Sequence, residues 1–69
     1  MDIRRRVGLN MQRMRVANGW SQEELAERSG LHRTYVSGVE RGIRNPTVTV
    51  LEKLAMALGA SIGDLADQF

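Results

Sequence analysis

Apolar residues recur along this chain at the three- and four-residue spacing of helices, and glycines interrupt the pattern. From about Asp2 to Asn18, Ile3, Val7, Met11 and Met14 form one stripe that Ala17 extends, and Gly19 ends it. Ser21 then stands where an N-cap belongs, Glu24 completes a capping box three residues on, and Leu25 with Ala26 supplies an inward face. Trp20 and Leu25 are spaced as a hydrophobic staple across that cap. Ser29-Gly30-Leu31 is a turn, because glycine takes a positive φ without steric cost, and a third helix runs from about His32 to Arg41 before Gly42. The segment 42–47, GIRNPT, is a loop in which Pro46 disfavours helix at Asn45. Thr47 caps a fourth helix from Val48 to Leu58, striped by Leu51, Leu54, Ala55 and Leu58 and closed by Gly59. Ser61 caps a last helix, with Asp64 placed to return the bond and Ile62 and Leu65 placed to seal the core. The expectation is an all-α chain of five helices in one domain, 1–69, without internal repeat or disordered tract.

The third helix separates its residues most sharply. At about 100° per residue, Val36, Val39 and Glu40 share one side, and Arg33, Thr34, Ser37, Gly38 and Arg41 share the other. A short helix presenting such polar residues, propped by a preceding helix across a glycine turn, has the form of a DNA recognition helix. Periodicity alone leaves a second reading open, a helical hairpin whose polar face is only solvated. The methionines of the first helix are read as core filler rather than as an adaptable groove.

Composition narrows the function. A net charge of +2 is too small to argue for nucleic acid by itself, but nine of the ten cations are arginine, whose planar fork fits phosphates and guanine edges. Arg4, Arg5 and Arg6 oppose the helix dipole near a helix start, so they either meet phosphate or are solvated. With no cysteine and one histidine, a metal site is not expected, and no cofactor is expected either. No apolar run reaches membrane length and no signal-peptide core follows the arginines, so the expected location is the cytoplasm, on the nucleoid when DNA is bound. No catalytic constellation is present: His32 lies at a helix N-cap with no carboxylate to orient it, and is read as a cap or phosphate contact. The chain reads as a binder rather than an enzyme.

Gln22, Leu25, Ala26, Gly30, Val36, Val39, Glu40 and Gly42 together resemble the helix-turn-helix signature, here about 22–41, of the XRE and Cro/C1-type transcriptional regulators. Gly8-Leu9-Asn10-Met11 with Met14-Arg15 is similar to that family's first helix, and Asn45-Pro46, Leu54-Ala55 and Ala57-Leu58-Gly59 to its fourth. The resemblance implies a lambda-repressor-like domain and a sequence-specific regulator acting as a homodimer on a palindromic operator. An antitoxin or protein-interaction module of the same fold, with a toxin or other protein as partner, is the alternative. The DNA-binding part of a longer regulator would show the same residues.

Outward position on the N-terminal half of the third helix makes Arg33, Thr34 and Ser37 the expected base readers. Arg33 suits guanine O6 and N7, and the Thr34 methyl suits thymine. Gly38 belongs to the same face but departs from the family, which usually carries a longer side chain there; it means either close approach to DNA or fewer base contacts. The resemblance makes Gln22 and Asn10 backbone-phosphate contacts; Tyr35, Arg44 and Asn45 extend the clamp, with Arg41 and His32 in reach. Tyr35 has a second reading as a core residue. Arg15 and Glu40 are expected to form an ion pair between the first and third helices, since a carboxylate on the core side is costly unless paired. Met56, Ile62, Leu65 and Phe69 are the apolar residues left for a dimer interface, unless they complete the protomer's own core.

Overall fold

A computed structural model describes residues 2–68. Five helices follow in order: α1 Ile3–Ala17, α2 Gln22–Ser29, α3 Arg33–Glu40, α4 Val48–Leu58 and α5 Ile62–Ala66. Each begins at a residue in extended conformation, and at four of the five a side chain accepts a hydrogen bond from an otherwise orphaned helix N–H: Asp2, Ser21, Thr47 and Ser61. Ser61 and Asp64 complete a reciprocal box, each bond 3.0 Å long. At Ser21 only half of the expected box forms. Its hydroxyl accepts from Glu24 N–H at 3.0 Å, but the Glu24 carboxylate turns to Arg28 Nε, 2.8 Å away and one turn on, the favoured order for such a pair. Gly30 and Gly59 end α2 and α4 at φ 72° and 70°, in the left-handed region that a Cβ disfavours.

Val7, Met11, Leu25, Ala26, Val36, Val39, Leu54, Ala55 and Leu65 form one core drawn from all five helices. Met11, Leu25, Val36, Val39, Leu54 and Leu65 are completely shielded from water, each worth about 1.5–3 kcal/mol of burial. The ends of the expected α1 stripe lie outside it. Ile3 is 54% exposed and Ala17 is exposed, because α1 at 15 residues is about 22 Å long and overhangs the eight-residue α3 it crosses. Leu65, expected at a subunit interface, is instead a core residue of the protomer: α5 packs on α1 and α4 and turns this side chain inward. Phe69 lies outside the described residues.

The crossing of α1 and α3 depends on Gly8. A Cβ there would stand 2.5 Å from the carbonyl oxygens of both Val39 and Glu40, so only glycine lets the end of α3 approach this closely. No buried side-chain nitrogen or oxygen among the described residues lacks a partner.

Candidate nucleic-acid interface

Buried polar chemistry fixes α3 to its neighbours. Glu40, 5% exposed, receives Arg15 Nε on Oε2 at 2.6 Å and Arg15 Nη2 on Oε1 at 3.1 Å. Arg15 Nη1 donates to the Trp20 carbonyl at 2.7 Å, and Gln22 Nε2 donates to Glu40 Oε1 at 3.0 Å. The Arg15–Glu40 pair thereby joins α1, the turn before α2, α2 itself and the end of α3. The fork geometry of arginine supports this two-point pairing, and lysine would not. The Trp20 ring packs on the core and carries Arg28 over its face, 4.2 Å from the centroid.

With Val36, Val39 and Glu40 turned inward, α3 exposes Arg33 and Thr34 and leaves Ser37 half-buried. These three line one shallow cleft together with Gln22 from α2. Gln22 uses one amide hydrogen on Glu40, which fixes the orientation of its amide and leaves the second hydrogen without a partner among the described residues. His32 is the N-cap of α3 by backbone geometry alone; its exposed side chain makes no cap bond. Tyr35 is half-buried against the core, with the Arg44 guanidinium 5.7 Å from its ring centroid. Arg41, Arg44 and Asn45 are exposed on the segment that leaves α3.

Two residues are not where the sequence reading puts them. Asn10 is 2% exposed, and its amide donates to the carbonyls of Leu65 at 2.8 Å and Asp67 at 2.7 Å, so it caps the end of α5 and has no donor for a phosphate. Gly38 is buried rather than on the reading face, because the Arg44 side chain lies over it.

Charge is distributed unevenly. Arg4 pairs with Asp2, Arg15 with Glu40 and Arg28 with Glu24, and Arg6 donates to the Ala66 carbonyl. Among the described residues Arg5, Arg33, Arg41 and Arg44 have no carboxylate partner, and Gly42 lies close to the Arg5 backbone. The small net charge therefore conceals a local excess at α3 and the loop that follows it.

Residues 11–65 match the helix-turn-helix family. The chain belongs to the XRE and Cro/C1-type helix-turn-helix regulators. It is 49% identical to the control protein C.SmaI of Serratia marcescens over 94% of its own length and 77% of that protein's. A hypothetical transcription factor from Neisseria, solved by crystallography, superposes with a TM-score of 0.92 at 48% identity, covering 96% of this chain and 76% of the other. The restriction-modification controller C.Esp1396I, solved as a tetramer on its natural 35-base-pair operator, superposes with a TM-score of 0.82 at 38% identity, over 88% of this chain and 80% of that one.

Met56 is 73% exposed on α4 and Ile62 is half-buried on α5. Val48, 71% exposed, is a large apolar residue in phase with Leu51 and Ala55, three and seven residues on, but it stands on the first turn of α4 outside the core.

Proposed function

We propose that this chain is a sequence-specific DNA-binding transcriptional regulator that works as a homodimer on a palindromic operator. The observation that carries the reading is the division of α3: Val36, Val39 and Glu40 are buried, while Arg33, Thr34 and Ser37 share an open cleft with Gln22. Arg33, Thr34 and Ser37 read base edges in the major groove. Gln22, His32, Tyr35, Arg41, Arg44 and Asn45 hold the phosphate backbone and carry no base preference of their own. Local arginine excess at α3 supports the same assignment.

One such helix reads only a few base pairs, too little to find a site in a genome, so two copies act together. The exposed apolar residues Val48 and Met56, with Ile62, provide the self-complementary surface on α4 and α5. Pairing there sets the two reading helices about 34 Å apart and demands half-sites about 10 to 10.5 base pairs centre to centre. Selection from random duplexes should return an inverted repeat at that spacing, bound by two protomers in sedimentation. Recovery of only an asymmetric site bound one-to-one would refute the dimer.

A further inference from the structure

Gly38 stands in the middle of α3, where glycine is a poor helix former, and no positive φ requires it there. Its carbonyl accepts two hydrogen bonds from the loop beyond the helix, from Ile43 N–H at 2.9 Å and Arg44 N–H at 3.2 Å. Gly42, at φ 75°, turns the chain so that both N–H groups come back to that one oxygen. The Arg44 side chain then runs back across the helix. A Cβ on Gly38 would lie 2.6 Å from Arg44 Cγ, 3.4 Å from Nε and 3.6 Å from Cδ. Cγ is the near end of the side chain, rooted in a backbone already held at Gly38, so it can clear a Cβ only by a change of χ1 that takes the whole side chain off this path. One helical turn earlier, Tyr35 receives the guanidinium at 5.7 Å from its ring centroid.

We infer that Gly38 is a positioning residue: its bare backbone is the seat that lays Arg44 along α3 and aims its charge at a backbone phosphate beside the reading face. The inference rests on the DNA-binding reading above and deepens it. Arginine on an exposed loop loses much side-chain freedom when it binds, and a stem already seated between Gly38 and Tyr35 has lost part of it beforehand. Arg44 has no carboxylate partner among the described residues, so its charge is available to a phosphate.

The test uses the whole chain and four proteins: wild type, Gly38→Ala, Arg44→Ala and the double variant. Binding to a mixed-sequence duplex of about 30 base pairs is titrated against salt, since phosphate contacts are indifferent to sequence. Losing one contact lowers the slope of log K against log salt by about 0.9 and the affinity about five- to tenfold near 0.1 M salt. Gly38→Ala should match Arg44→Ala in both readouts, and the double variant should match either single. In the Arg44→Ala background, Gly38→Ala should raise Tm, because alanine then replaces a helical glycine with nothing to displace. A purely structural glycine would lower Tm in both backgrounds and leave the salt slope alone, and that result overturns the inference. Should Gly38→Ala fail to fold, restored folding in the double variant supports the seat and continued failure overturns it. An unchanged slope in Arg44→Ala overturns the phosphate role while DNA binding stands, whereas a wild type that binds no duplex at any salt removes the DNA-binding reading itself.

Discussion

Replacing Arg15 by methionine would leave the Glu40 carboxylate 4% exposed by its side chain, with only the Gln22 amide to compensate it. Replacing Glu40 by leucine strands a less desperate partner: the Arg15 side chain is 12% exposed and keeps its 2.7 Å bond to the Trp20 carbonyl. Breaking a buried pair from one side costs about 3 to 5 kcal/mol, so Arg15→Met should fall toward the top of that range and Glu40→Leu toward the bottom. A chain of this size has about 3 to 10 kcal/mol of stability in total, so the first variant should lose half of it or more. The double variant removes both desolvated charges and should recover most of the loss, to within about 1 kcal/mol of wild type or beyond it. Urea unfolding followed by far-ultraviolet circular dichroism measures all four corners of the cycle. A cost below about 1 kcal/mol for Arg15→Met, as an exposed pair would give, or single-variant costs that simply add, would refute the reasoning.

Gly8→Ala should destabilise by about 1 to 3 kcal/mol or more, because the new methyl meets two backbone carbonyls that cannot move without separating α1 from α3; a thermal melt within a degree or so of wild type would contradict this. Arg33→Ala should relax preference at one or two operator positions by roughly 1 to 3 kcal/mol each, and an unchanged sequence preference in a selection experiment would remove Arg33 from the reading set. At the start of α1, hydrogen bonds from the Arg4 side chain and backbone hold the Asp2 carboxyl below its ordinary value of 3.8. That capping contribution is complete above pH 3.8 and is lost as pH falls through the lower folded value, so wild type and Asp2→Asn should converge in Tm below that range and differ above it.

Most of the fold was legible because local signals agreed with the packing. Ser21, Thr47 and Ser61 cap the helices they were expected to cap, and Gly30 and Gly59 end them in the left-handed region. The buried side of α3 was legible too, since a carboxylate in phase with two valines demands a cation, and Arg15 supplies it. What escaped the sequence depends on contacts far along the chain. Nothing local distinguishes an asparagine that meets solvent from Asn10, whose amide is spent on two carbonyls more than fifty residues away. Leu65 reads as interface or core until α5 is docked on α1. Gly38 lies in phase with Arg33, Thr34 and Ser37, and only the return of the loop over it shows that it is covered.

The carboxylate of Glu40 also shapes what genetics would report about this regulator. Because Gln22 bonds to it, a loss-of-function screen scored on operator occupancy would collect changes at Arg15, Glu40 and Gln22 as one phenotype, although the first two meet on the inward side of α3. A footprint drawn from such a screen would extend through the middle of the protein. Counting only variants that keep the wild-type melting temperature would shrink it back to the outward face.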